Sequence, residues 1–142
     1  MKISDVLRYK GSEVITVKPD ETVSTLLDLL TEHRIGAVVV STDGSSVDGI
    51  VSERDVVRHL GTDWTALAQR PVRDVMTKNV FTSARSDSVA DVMERMTDKR
   101  IRHMPIVEGH ELVGIVSIGD VVKRKIEETE QEATALKEYI AS

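Results

Sequence analysis

The sequence predicts an α/β protein built from two tandem copies of one β-α-β-β-α unit. Three observations carry this expectation: a motif that occurs twice, flanking identities that keep the same order, and apolar runs whose period switches between strand and helix. Residues 49–57 read Gly-Ile-Val-Ser-Glu-Arg-Asp-Val-Val, and residues 114–122 read Gly-Ile-Val-Ser-Ile-Gly-Asp-Val-Val. Seven of the nine positions are identical, at an offset of 65. At an offset of 66, Val14 and Thr16 align with Val80 and Thr82, Val23 with Val89, and Arg34-Ile35 with Arg100-Ile101. At an offset of 69, Asp5-Val6 aligns with Asp74-Val75. The changes of offset fall at loops, and identities in this extent and order mark a duplication.

Each element of the first copy has a local cause. Val14–Val17 reads as a short strand, followed by Lys18-Pro19-Asp20-Glu21, where Asp20 can cap the next helix. Val23, Leu26, Leu27 and Leu30 recur at helical spacing, and Ile35 closes that helix. Ala37–Val40 is a continuous apolar run, the mark of a strand buried on both faces. Asp43-Gly44-Ser45-Ser46 is a turn, Val47–Ser52 the next strand, and Glu53–Leu60 has helical character. The second copy offers a strand at Val80–Thr82, a helix lined by Val89, Val92, Met93 and Met96, strands at Met104–Val107 and Leu112–Ser117, and a helix from about Ile118. The expected division is residues 1–61 for the first unit, 62–126 for a connector and the second unit, and 127–142 for a helical tail. In the connector, Gly61 stops a helix, Trp64 and Leu67 pack onto the body, and Pro71 opens a short helix through Val75-Met76 that matches Ile3–Leu7.

Composition narrows the function. Aromatic residues are 3% of the 142, so the core is aliphatic, and base-stacking platforms for single strands are excluded. A net charge of -5 argues against binding nucleic acid, which requires a positive field. It leaves room for a local basic pocket. No cysteine is present, which removes disulfides, thiolate metal sites and cysteine nucleophiles. His33, His59, His103 and His110 show no metal-ligand spacing, and no nucleophile elbow, P-loop or dinucleotide fingerprint occurs. The expectation is therefore a cytoplasmic, non-enzymatic protein without a membrane span or a catalytic cofactor.

The repeated motif suggests chemistry. Gly49 permits close approach at the strand start. Ser52 ends the strand and caps the following helix, whose free N–H groups attract phosphate. Asp55, inside the first turn, can accept hydrogen bonds from two vicinal hydroxyls, as a ribose offers. Ser117 and Asp120 repeat this arrangement. A plainer reading uses the serines only as N-caps and the aspartates only as dipole complements.

The pair of repeats, the Arg102-His103-Met104-Pro105-Ile106-Val107 segment and the doubled Gly-Ile-Val-Ser-x-x-Asp resemble the cystathionine β-synthase (CBS) domain over residues 3–126. CBS domains come in pairs called Bateman modules. The resemblance implies two units packed with pseudo-twofold symmetry, two clefts between them that take adenosine compounds, frequent homodimers, and regulatory roles. It implies that Asp55 works with Val80 and Phe81, and Asp120 with Val14 and Ile15, the apolar side chains sandwiching an adenine. Arg102 and His103 then contact phosphate, Arg through a permanently charged fork of donors. The aligned residues of the first copy are Gly36 and Ala37, so the clefts are expected to differ. The Asp55 cleft gathers acceptor, apolar wall and cation, whereas the Asp120 cleft has an apolar wall and no cation at its strand entry.

The leading expectation is thus a stand-alone regulatory sensor of AMP, ADP or ATP, with AMP first. The alternative is a constitutive interaction or dimerisation module without nucleotide. A hydrolase using a cleft Asp and His is a weaker third. A homodimer and a regulated protein of unknown identity are the expected partners, with Leu26, Leu30, Val92 and Met96 serving either core or interface. Beyond Val122, Ile126, Ala133, Leu136 and Ile140 recur at three- and four-residue steps or their sum, as on an amphipathic helix. That helix packs on its own domain or forms a contact arm.

Overall fold

Two aliphatic cores organise the chain, one per repeat, and the computed structural model describes them over residues 1–61 and 63–142. Thr62, the expected start of the connector, lies outside the described residues. The elements are α1 (Ile3–Lys10), β1 (Thr16–Val17), α2 (Val23–His33), β2 (Ala37–Val40), β3 (Gly49–Ser52) and α3 (Glu53–His59). After them come α4 (Trp64–Gln69), a 3-10 turn (Val72–Asp74), α5 (Val89–Lys99), β4 (His103–Glu108), β5 (Glu111–Ser117) and α6 (Ile118–Ala141).

In the first repeat β1 runs parallel to β2, which pairs antiparallel with β3 in the register Ala37↔Ser52 and Val38↔Val51. In the second, β4 pairs antiparallel with β5, His103↔Ser117 and Met104↔Val116. The expected strand at Val80–Thr82 does not form. Its counterpart of β1 shrinks to one parallel bridge, Ser83↔Ile106. The reason lies at Ser83, which stands where the first repeat has Val17. Its hydroxyl is tied to Met104 Sδ (2.7 Å) and to Arg95 Nη2 (2.6 Å), and Arg95 Nη1 also donates to the Thr82 carbonyl (3.2 Å). Two backbone bonds remain at the bridge, Ser83 to the Pro105 carbonyl (3.1 Å) and Val107 to the Ser83 carbonyl (2.8 Å), and the side-chain anchors supplement them. β1 and β3 are also shorter than the apolar runs suggest, beginning at Thr16 and Gly49.

The helix caps correct one expectation and explain a repeated pair. Thr22, not Asp20, caps α2: its hydroxyl accepts from the Thr25 amide at 3.1 Å. Ser88 does the same for α5. Both helices end on an arginine in the left-handed region, Arg34 at φ 53° and Arg100 at φ 55°, so Ile35 and Ile101 lie beyond the helix and pack inward. Leu26, Leu30, Val92 and Met96 are all buried within the monomer, which makes them core and not interface. Burying each such side chain is worth about 1.5–3 kcal/mol.

The unit that repeats in sequence is not the unit that packs. Helix α1 leads the first repeat, yet Ile3, Val6 and Leu7 belong to the core of the second. The connector leads the second repeat, yet Leu67, Val72 and Val75 belong to the core of the first. Of the two residues expected to pack, Leu67 is buried and holds α4 together with Ala68, whereas Trp64 stays 44% exposed. The exchange is reciprocal in its backbone bonds. Ile3 donates to the Asp87 carbonyl (2.9 Å) and Val89 to Met1 (3.0 Å), while Val72 donates to Glu21 (2.8 Å) and Val23 to Arg70 (2.9 Å).

The motif glycines are the seats for this exchange. A Cβ on Gly49 would stand 2.6 Å from Met76 Sδ, and one on Gly114 would stand 2.7 Å from Leu7 Cδ2. Leu7 and Met76 are equivalent at the offset of 69. Each glycine therefore receives one apolar side chain of the other repeat's leading segment.

Candidate functional site

A cavity of about 280 Å³ opens between the repeats. Ser52 and Asp55, at the start of α3, form one side. Val80 and Phe81, on the irregular segment before Ser83, form the opposite wall, and Arg102 and His103 enter from the second repeat beside Gly36 and Ala37. Six of the ten residues expected to bind ligand thus line one space. The other four lie outside that lining: Val14 and Ile15 are half-buried ahead of β1, and Ser117 and Asp120 start α6.

Local geometry sets the two aspartates. In each repeat the serine and aspartate form a capping box. Asp55 accepts the Ser52 amide on Oδ2 (2.8 Å), and the Asp55 amide donates to the Ser52 hydroxyl (3.4 Å). Its other oxygen, Oδ1, lies 3.9 Å from the Arg58 guanidinium, and that arginine is 73% exposed. Capping therefore occupies Oδ2 of Asp55 and does not by itself prevent Oδ1 from accepting a further donor.

Asp120 stands differently. Its Oδ2 accepts the Ser117 amide (2.8 Å) and the Lys10 ammonium (2.6 Å). Burial pushes the Asp120 carboxyl up, but the Lys10 bond and the two Ser117 bonds outweigh it and hold the group below the ordinary carboxylate range. The Asp120 cleft, expected to have no cation at its strand entry, gains one from α1.

Sequence reasoning missed further residues of the cavity. Arg54, Arg58 and Arg100 join Arg102 along it, against Glu53 and Asp55, so the lining has a surplus of positive charge. Asn79 and Thr77 contribute from the segment after the 3-10 turn. The repeated Arg34-Ile35 and Arg100-Ile101 pair was the available signal for Arg100. Lys99 places its ammonium 5.3 Å from the centre of the Phe81 ring, which braces one face of that wall.

His103 sits at the junction of the clefts, with its Nε2 3.5 Å from the position a Gly36 Cβ would take. Burial lowers its pKa from the usual imidazole value; Lys10 and Arg102 lower it further, against Asp120 and Glu53. The ring is accordingly neutral at neutral pH. Among the described residues, no group of acidic or histidine side chains is arranged to hold a metal ion. No helix is long and apolar enough to cross a membrane.

The doubled unit, the exchange of leading segments and the inter-repeat cavity define a paired-repeat module. The CBS domain model matches residues 3–62 and 72–127, and the chain belongs to that family as a tandem pair. A mitochondrial CBS domain-containing protein of Arabidopsis thaliana, CBSX3, is 34% identical over 146 residues, 97% of this chain and 71% of that protein. The crystal structure of the CBS-domain containing protein ATU1752 from Agrobacterium tumefaciens is 42% identical, with a TM-score of 0.82 over 88% of this chain and 99% of that one. The CBS domain pair of protein MJ0100, solved in complex with 5′-methylthioadenosine and S-adenosyl-L-methionine, is 22% identical. It shares the fold, with a TM-score of 0.77 over 90% of this chain and 98% of that one.

Proposed function

We propose that the chain is a regulatory module that binds an adenine nucleotide, AMP foremost, in the cavity between its repeats. The observation that carries this reading is the convergence of an acceptor, an apolar wall and several guanidinium groups on one space. Asp55 Oδ1 suits ribose hydroxyls, Val80 and Phe81 suit a purine, and Arg102 with Arg100 suits phosphate through charge-assisted bonds. The size favours a small ligand: 280 Å³ lies just below the usual range of ligand pockets, about 300 to 1,000 Å³. Ligand would act by favouring one arrangement of the repeats over another.

Calorimetry against AMP, ADP, ATP, NAD, S-adenosylmethionine and adenosine tests the reading, on protein freed of carried-over nucleotide. AMP is expected to bind more tightly than adenosine, with an advantage that shrinks in salt. A phosphate beside His103 raises its depressed pKa, so binding takes up protons. That uptake, read by calorimetry in buffers of different ionisation enthalpy, should be smaller in His103→Gln than in wild type. Equal affinity for AMP and adenosine removes the guanidinium groups as phosphate ligands. Turnover of bound nucleotide would favour the hydrolase reading.

The module is further proposed to act as a homodimer. From Thr129 onward every residue of α6 is exposed, with Leu136 and Ile140 among them, and Val57 is 68% exposed on α3. Sedimentation at micromolar concentration should give about twice the chain mass, and a monomer throughout that range excludes the assembly.

A further inference from the structure

The two clefts differ at one position that the repeat makes equivalent. At the offset of 69 that aligns Asp5-Val6 with Asp74-Val75 and Leu7 with Met76, Lys10 aligns with Asn79. Asn79 lines the Asp55 cavity. Lys10 reaches Asp120 at 2.6 Å. Neither member of that pair is a loose surface group: the side chains are 34% and 28% exposed.

Helix α1 aims the lysine. Leu7 is fixed in the seat that Gly114 leaves, and the Tyr9 ring lies 4.2 Å from the guanidinium carbon of Arg124, itself buried on α6. At the far end of α1 the chain's amino group bonds Glu128 at 2.9 Å. Contacts from Met1 to Glu128, Tyr9 to Arg124 and Lys10 to Asp120 lay α1 antiparallel along the first turns of α6. They set the ammonium at the carboxylate where its counterpart in the other repeat leaves Asp55 to the cavity.

We propose that Lys10 is a resident occupant of the Asp120 acceptor, holding the wild-type chain to one bound nucleotide and leaving the second cleft closed. The inference rests on the nucleotide reading of the Asp55 cavity and adds the number of sites and the residue that sets it. An ammonium donates to a carboxylate as ribose hydroxyls do, but it carries the charge that such hydroxyls lack. The ammonium sits on Oδ2, the oxygen that also caps α6, so a ligand turning to Oδ1 meets a neutralised carboxylate with a cation beside it, and one that needs both oxygens must break the ion pair.

The test is the stoichiometry of AMP by calorimetry in three proteins. Wild type should take one equivalent per chain. Lys10→Asn, which copies the residue of the other cleft, should take two. Lys10→Asn combined with Asp120→Ala should return to one. Lys10→Gln serves if Lys10→Asn fails to fold, as judged by circular dichroism. One equivalent in both wild type and Lys10→Asn overturns this inference alone. Two equivalents in wild type falling to one in Lys10→Asn also overturns it, and makes Lys10 a phosphate ligand. No binding by wild type, with one Asp120-dependent equivalent in Lys10→Asn, overturns the Asp55 reading and supports the inference. No binding by any form overturns both.

Discussion

Asp55→Ala is expected to weaken AMP binding by roughly tenfold or more, while Asp120→Ala leaves the same event within about twofold of wild type. The asymmetry follows from the cation beside each carboxylate. Asp55 lines the cavity with the solvated Arg58 guanidinium 3.9 Å from its Oδ1, whereas Asp120 takes the Lys10 ammonium on its capping oxygen Oδ2 at 2.6 Å, which neutralises the group. A hydrogen bond to a charged group contributes about 1.5–3 kcal/mol, and about 1.4 kcal/mol is one decade of affinity. Asp55→Ala also removes half of a capping box, a loss of about 1 kcal/mol in stability. Asp55→Asn separates the two effects, because the amide oxygen still accepts at the cap while the negative charge is gone. Titration of AMP into the three variants decides the matter. If Asp120→Ala weakens binding more than Asp55→Ala does, the principal site has been assigned to the wrong cleft.

Gly49→Ala is expected to lower stability by about 2–4 kcal/mol, and Gly114→Ala by about 1 kcal/mol, although both glycines occupy the same place in the repeat. The three atoms nearest a Cβ on Gly114 all belong to the branched end of Leu7, a side chain that can shift where a backbone carbonyl cannot. A Cβ on Gly49 meets Met76 Sδ and also the Thr77 carbonyl at 2.9 Å. That carbonyl cannot rotate away, because it accepts from the Ile50 amide at 3.0 Å while the Thr77 amide donates to Ile50 at 2.8 Å. Overpacking of this kind costs about 1–3 kcal/mol, and each backbone bond lost adds about 1 kcal/mol. Thermal melts of the two variants side by side provide the comparison, at about 2–8 °C per kcal/mol for domains around this size. An equal loss in both would show that the Ile50–Thr77 bridge yields freely. Ile50 and Thr77 also line the cavity, so Gly49→Ala should weaken AMP binding where Gly114→Ala does not.

Much of this architecture is legible in the sequence because duplication is a pattern of identities, and identities survive without knowledge of packing. The order of strands and helices, the aliphatic core and the paired capping boxes all follow from local spacing. What escapes is whatever depends on which of two similar surfaces a segment meets. Ile3, Val6 and Leu7 present an apolar face that fits either repeat, and nothing in their spacing says that it covers the second. Lys10 was hidden for the same reason: its partner, Asp120, is 110 positions away and is reached only because α1 crosses over. Placing Lys10 opposite Asn79 in the offset of 69 would have exposed the difference between the clefts. The strand at Val80–Thr82 failed on a side chain. Ser83 has the repeat position of a core valine and is buried like it, but its hydroxyl brings the Arg95 guanidinium in beside Met104.

The reciprocal seating of α1 and the connector bears on how the chain melts. Each core includes side chains that arrive from the other half, so neither half can be unfolded without opening the second. Two hooks that hold each other's eyes release together, and the molecule is expected to melt in one cooperative transition despite its two separate cores. A single repeat cut free would carry a leading helix without its glycine seat and a glycine seat without its helix. Two such halves would answer each other's defect, so the intact chain has the topology of a swapped dimer whose subunits have been joined end to end.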